Sequence, residues 1–237
     1  MGNGVWVDEM FGSDGDPVKV YRNLCYGNRG SGIFTEIASY VDMYNNICYD
    51  NAVGQVAIDT PYAAGGIKVQ TRVDFHTNNC RVYNNTIYDC PIGIQAVTYG
   101  EGSSIEFNNN TFKNNIVAGC PVSLRVSGGA ANDGTWGTGN VYERNCLDTQ
   151  SAAFIKWDGV DCDTYDEFIS ESSQTDNNIE GDPSFTDPDN QDFTLASDSP
   201  CIGAAENLGS PFNIALMPTT QAEDWPDNVT AGDQDDY

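Results

Sequence analysis

The chain has 237 residues and a formal net charge of -25, from 35 acidic and 10 basic side chains, with 39% hydrophobic residues. That acidity disfavours nucleic acid and anionic lipid as partners, and no apolar run is long enough for a membrane-spanning helix. One elongated domain with a narrow core fits the length and the apolar content.

The first element is Val5-Trp6-Val7-Asp8, an alternating strand entered from Met1-Gly2-Asn3-Gly4 with no leader-like segment before it. A short phrase then recurs: Tyr21-Arg22-Asn23-Leu24, Tyr44-Asn45-Asn46-Ile47, Tyr83-Asn84-Asn85-Thr86, Lys113-Asn114-Asn115-Ile116 and Glu143-Arg144-Asn145-Cys146. The steps between the repeated Asn residues are roughly 23, 39, 30 and 30 residues, the range in which a repeat means stacked units. Short apolar runs follow each Asn and end at turns around Gly30 and Gly32, Gly54, Gly93 or Ser123, with no long helical pattern. This predicts an all-β chain of stacked coils over residues 1–157, with a loop insertion in the longest step, between Asn46 and Asn85. The repeated Asn is expected at the bends, because it tolerates left-handed backbone and its amide can hydrogen-bond to the Asn stacked above it.

Beyond Asn145 the repeat fades. Phe154–Trp157 predicts a last strand, and residues 158–237 predict a loop-rich tail with one short helix at Thr164–Ser170. The turn Asp187-Pro188-Asp189-Asn190 is a possible Ca²⁺ loop without the EF-hand pattern, and the acidic stretch from Gln221 to Tyr237 reads as a packed or disordered end. Of the eight Cys, Cys25 and Cys48 occupy equal places on neighbouring rungs, as do Cys90 and Cys120. Rungs about 4.8 Å apart leave disulfides and stacked buried thiols both open, and the absence of a CxxC spacing argues against zinc.

The Gly-x-Trp-x-Asp start, the Asn rungs and Gly32-Ile33-Phe34-Thr35-Glu36-Ile37 resemble the secreted right-handed parallel β-helix proteins of the pectate-lyase-like superfamily. The segments Asp163–Phe168, Asn178–Phe185, Asp192–Leu195 and Ser199–Gly203 are similar to the choice-of-anchor-type tail that often ends such chains. The resemblance implies a single-stranded right-handed β-helix, an extracellular or cell-surface location and a polysaccharide or oligosaccharide partner. It does not choose between lyases, hydrolases, epimerases and non-catalytic adhesins. A solenoid also needs a polar cap before its first coil, so the N-terminal coil is expected to be covered by a longer chain or an assembly.

Two constellations carry candidate chemistry. Aligning Gly4–Asp8 with Gly32–Glu36 turns Val5, Val7, Ile33, Thr35 and Ile37 to one face and Trp6, Phe34, Asp8 and Glu36 to the other. Asp8 and Glu36 would then stand about 5 Å apart, the spacing of a retaining glycosidase, beside an aromatic platform for a sugar ring. The same carboxylates, with Asp59 on the next rung, are alternatively a Ca²⁺ site. The second constellation is the strand Ile67–His76, whose alternation places Lys68, Gln70, Arg72, Asp74 and His76 on one face. A polysaccharide lyase needs a base and cations to neutralise a uronate carboxylate, and Lys68, Arg72, His76 and the nearby Arg125 are suitable residue types. The leading expectation is a glycoside hydrolase using Asp8 and Glu36. A uronate lyase and a non-catalytic glycan-binding module are the alternatives.

Overall fold

The structure is a computed structural model of the full chain, and it describes residues 2–55, 59–60, 62–99, 105–128, 137–149, 152–174, 177–209 and 211–212. Among them, three sheets run side by side along one axis, and the chain visits each in turn on every coil. The first sheet holds β1 (Val5–Asp8), β4 (Ile33–Glu36), β7 (Ile67–Arg72), β10 (Ile92–Tyr99), β13 (Val122–Ser127) and β16 (Ile155–Trp157), with β17 (Val160–Cys162) at its end. The second holds β2 (Val18–Tyr21), β5 (Val41–Tyr44), β8 (Arg81–Tyr83), β11 (Thr111–Lys113) and β14 (Val141–Glu143). The third holds β3 (Leu24–Tyr26), β6 (Ile47–Tyr49), β9 (Thr86–Tyr88), β12 (Ile116–Ala118), β15 (Cys146–Leu147) and β18 (Ile179–Glu180). Within these sheets every pairing is parallel except β16 with β17, so the fold is a parallel β-helix of stacked coils as the repeat predicts, of the right-handed kind that the resemblance implies.

Period-two alternation fills the interior with columns, one residue per coil. Val7, Thr35, Val69, Ala96, Val126 and Trp157 are register partners down the first sheet, and all are buried. Val20, Met43, Val82, Phe112 and Tyr142 do the same on the second, and Cys25, Cys48, Ile87, Val117 and Leu147 on the third. At the start of the first-sheet strands the backbones pass closely. A Cβ on Gly32 would lie 2.8 Å from the Gly66 carbonyl, which explains the glycine there.

The repeated Asn residues form one continuous ladder. The backbone N–H and Nδ2 of Asn23 both donate to Asn46 Oδ1, at 3.0 and 2.9 Å, and the same pair of bonds joins Asn46 to Asn85, Asn85 to Asn115 and Asn115 to Asn145. From Asn46 onward each Nδ2 also reaches back to a carbonyl of the preceding coil, as from Asn85 to Met43 and from Asn115 to Val82. The ladder gains a last rung that the repeat did not announce, Asn178, which accepts from Asn145.

One expectation needs correction. The left-handed residue at each bend is the one before the ladder Asn: Arg22, Asn45, Asn84, Asn114 and Arg144 have φ of 54° to 57°. That conformation makes the turn and points the following amide inward, where it stacks. Asn fills three of these five places for its left-handed tolerance, while the ladder positions require Asn for its amide.

The described part of the tail straps the outside of the coils. Helix α1 (Tyr165–Ser172) starts at a Thr164–Glu167 capping box and sets Phe168 against Trp157, so it closes the C-terminal end of the core. The hairpin of β19 (Phe185–Asp187) and β20 (Asp192–Leu195) brings Phe193 onto Tyr49 and Tyr88 of the third sheet. Its Asp187–Asn190 link is a single 3-10 turn in which Asn190 donates to Asp187. Further on, Asn114 exchanges two hydrogen bonds with the Glu206 backbone, and Phe212 packs edge-on against Tyr44 and Tyr83. The acidic stretch 221–237 lies outside the described residues.

A disulfide between Cys146 and Cys201 ties the tail to the third sheet, a pairing the repeat could not reveal because Cys201 lies outside it. Cys25 and Cys48 are stacked thiols, as are Cys90 and Cys120, and together with Cys80 and Cys162 they are free and buried. Burial pushes the Cys80 thiol up to about 12, so it behaves as core rather than as a nucleophile.

Two outcomes follow in denaturant titrations. Replacing a central rung, Asn85→Ala, strips partners from the buried amides of Asn46 and from the Met43 carbonyl, and should cost at least about 2 kcal/mol; Asn23→Ala at the half-buried first rung should cost clearly less. Cys201→Ser should cost about 2–4 kcal/mol, from opening a long covalent loop.

Candidate functional site

The outer face of the first sheet is built by the same alternation that fills the core. One outward column reads Trp6, Phe34, Lys68, Gln95, Arg125 and Lys156. The next reads Asp8, Glu36, Gln70, Val97 and Ser127, and beyond it Arg72 stands beside Tyr99. Four of the chain's ten Lys and Arg residues therefore lie on one face of a protein with net charge -25.

A cavity of about 360 Å³ opens on this face, with Trp6, Phe34, Glu36, Lys68, Gln70 and Arg72 among its lining residues and Tyr62 and Tyr99 on one side. The rings of Trp6 and Phe34 stack at 5.9 Å between centroids with 16° between planes. Lys68 Nζ sits 5.2 Å from the Phe34 ring centre, a cation–π contact. Tyr62 and Tyr99 meet ring to ring at 5.0 Å, and their hydroxyls are hydrogen-bonded. Tyr62 comes from the long step between Asn46 and Asn85, whose described loop residues fold over the sheet as the uneven spacing predicts.

That loop also fixes the cations. Arg125 Nη1 donates to the Thr60 carbonyl at 2.6 Å. The Gln95 amide, oriented to satisfy both neighbours, donates to the Ala63 carbonyl at 2.8 Å and accepts from Arg125 Nη1 at 2.9 Å. Lys68 and Arg125 are only 5% and 7% exposed, which makes both unusual as cations. Burial lowers the Lys68 amine to about 8, with the charge of Arg125 acting the same way and Glu36 opposing it. Burial also lowers Arg125. An amine in that range is a competent base near neutral pH.

The structure sorts the expected site residues. Asp8 and Glu36 are direct register partners, and Trp6 and Phe34 share their face as expected. Glu36, however, is buried and engaged: Gln70 Nε2 donates to its Oε1 at 2.6 Å, and Arg72 Nε lies 2.9 Å from the same oxygen. Asp59 is not the next rung below Glu36. Gln70 is, and Asp59 instead pairs with Lys156 at 3.3 Å. The strand expected over Ile67–His76 stops at Arg72, because the chain turns at Val73 and Asp74, the latter with φ of 66°. His76 consequently leaves the face that holds Lys68. It is exposed, its backbone forms an isolated parallel β-bridge with Glu106, and its ring packs 5.2 Å from Phe11. Asp74 leaves that face by the same turn. Among the described residues no group of three or more His, Cys, Asp or Glu side chains is placed to hold a metal ion.

Gln95, Lys156, Tyr62 and Tyr99 were not among the sequence candidates. Gln95 and Lys156 were legible in principle, since they take the Lys68 place on later rungs, whereas Tyr62 depends on the path of a loop.

Residues 8–146, more than half of the chain, match the family model described as "Right handed beta helix region", and the chain belongs to that family. Comparison with curated proteins and with solved structures finds no match.

The Lys68 environment sets a pH signature. Its folded value of about 8 lies below the ordinary 10.5, so at Lys68 the unfolded chain binds more protons between these two pH values and this residue's own contribution to stability rises across the window, whereas the buried thiols, pushed up, act in the opposite sense. In urea titrations across the window, the stability of the wild type relative to Lys68→Met should rise with pH.

Proposed function

We propose that this protein acts on an acidic polysaccharide held against the outer face of the first sheet, and that its chemistry is elimination at a uronate residue. The single observation that carries this reading is the pair of buried cations, Lys68 and Arg125, two rungs apart on one outward column beside the Trp6–Phe34 platform. In an acidic chain, cations buried in one cleft create a local field that selects carboxylates and repels little else of use there. The aromatic platform takes the apolar face of a neighbouring sugar ring.

In this reading Arg125 pairs with the uronate carboxylate and stabilises the charge that develops on it. The neutral Lys68 amine takes the proton from the carbon α to that carboxylate. The glycosidic C–O bond at the β carbon breaks, a C=C bond forms, and the leaving oxygen takes a proton from water. Tyr62 and Tyr99 line the same cavity and supply further ring surface for the sugar chain.

A second reading, retaining hydrolysis by Asp8 and Glu36, rests on their register adjacency. The donors held on Glu36 by Gln70 and Arg72 make it an acceptor in this arrangement and leave it poorly placed as an acid. Ca²⁺ as a helper in either reaction is a further part of the proposal that metal supplementation checks. The Cys146–Cys201 disulfide supports an oxidising, extracellular or cell-surface setting.

Assay of uronate and neutral polysaccharides, with and without Ca²⁺, should release unsaturated uronate products absorbing in the near ultraviolet. The rate should rise with pH through about 8 as Lys68 loses its proton, and Lys68→Met should lower kcat by at least about a hundredfold, the scale of losing a general base. Reducing ends without unsaturation, lost in Glu36→Gln, would transfer the assignment to hydrolysis. Binding without any product would leave a glycan-binding module.

A further inference from the structure

Glu36 is a buried acid that the proposed elimination leaves without a task. It is 5% exposed although it stands on an outward column, and a carboxylate is rarely so deeply buried unless partners compensate it. Two donors meet one of its oxygens. Gln70, its register partner on β7, donates from Nε2 at 2.6 Å, and Arg72, two residues further along the same strand, approaches with Nε at 2.9 Å. Arg72 therefore leans back along β7 towards Lys68. That sets its guanidinium beside Glu36 and Gln70, two residues of strand rise, roughly 7 Å, from Lys68.

A second arginine–carboxylate pair on an outward column shows the contrast. On the second sheet Asp42 takes Arg81 with both oxygens, Nε to Oδ1 at 2.5 Å and Nη2 to Oδ2 at 2.8 Å, and Phe212 of the tail lies against the guanidinium. That fork is closed and covered, as suits a structural ion pair. Glu36 instead holds Arg72 by Nε, and a guanidinium has five N–H donors, so the Nη edge is left for another acceptor. The Arg72 side chain is 44% exposed and lines the same cavity as Phe34 and Lys68. Among the described residues Glu36 is the one acid paired with it.

We propose that Arg72, oriented by Glu36, is a second carboxylate clamp, and that the cleft takes two successive uronates. This rests on the reading of the cleft as a uronate site. The reacting uronate has its carboxylate on Arg125 and its α carbon at Lys68. The next ring lies over Trp6 and Phe34, and its carboxylate meets the open edge of the Arg72 fork. Phe34 and Glu36 are two residues apart on β4 and line one cavity, so the ring contact and the anchor of the clamp come from a single strand. Arg72 is then a specificity-determining residue. Glu36 is a positioning residue, which removes in advance the side-chain freedom that a lone arginine would lose on binding. A polymer whose uronates are isolated between neutral sugars fills one clamp only.

Binding to the full chain at about pH 6, where the Lys68 amine keeps its proton and turnover stops, tests this apart from the chemistry. Isothermal titration calorimetry compares an oligo-uronate carrying both carboxylates with one whose neighbouring residue is reduced to the neutral sugar. The wild type should bind the first about tenfold to a hundredfold more tightly, the scale of a hydrogen bond to a charged group. Arg72→Gln should bind both alike, at the level of the wild type with the reduced oligomer. Should that variant fold poorly, Arg72→Lys replaces it; a charge without the fork should leave the discrimination reduced. Glu36→Gln should also reduce it, and full discrimination in that variant would remove the positioning role. A wild type that binds both oligomers alike, or an Arg72 variant weakened equally for both, would overturn the clamp alone. Failure of every oligo-uronate to bind would overturn the uronate reading and the clamp with it.

Discussion

The structure depends on the amide ladder that runs from Asn23 to Asn178. Each rung fixes the next through two bonds to one oxygen, and each amide after Asn23 reaches back to the coil before it. This pins all three sheets in register at a single corner, so the strands can be as short as two residues and still stack. Most of these amides are buried, where an unpaired donor costs about 1–3 kcal/mol, so slippage of one coil by a single residue would break several of them together. Register is thereby specified by polar groups, and the apolar interior only has to fill the space.

A fixed register turns alternation into architecture. Once coils stack without slippage, every outward residue has a defined neighbour about 4.8 Å away on the next rung. The column from Trp6 to Lys156 is such a product: aromatic at one end, cationic at the other, with Gln95 bridging Arg125 to the loop that covers the sheet. The long step between Asn46 and Asn85 contributes the loop, which holds Arg125 through Thr60 and Gln95 through Ala63. Burial in turn makes Lys68 chemically distinct from the other lysines, because the ammonium form loses its water.

Much of the fold was legible because the ladder leaves a literal mark, an Asn at near-constant spacing. The first-sheet strands β1 and β4, the pairing of Trp6 with Phe34 and of Asp8 with Glu36, the strand near Trp157 and the helix after Thr164 all emerge from pattern and capping chemistry, but the strand near Trp157 is not the last: β17, β18, β19 and β20 follow it. The site was legible in part. Alternation correctly grouped Lys68 with Gln70 and Arg72, then failed at Asp74, where a left-handed turn ended the strand and removed His76 from the face. Asp59 was misplaced for a different reason: in an inserted loop, counting residues says nothing about rung position, and the side chain reaches Lys156 instead. The Cys146–Cys201 bond and the contacts of Phe193 and Phe212 lie between the repeat and the tail, where no periodicity relates the partners.

The proposed function places an acidic sugar chain on the outer face of the first sheet. The most direct measurement is a crystal structure of the protein soaked with a short oligo-uronate. The account predicts a uronate carboxylate on Arg125, with Lys68 against the same residue and a neighbouring ring over Trp6 and Phe34. An oligosaccharide seated elsewhere on the coils, or a groove that stays empty while a neutral oligosaccharide fills it, would contradict it.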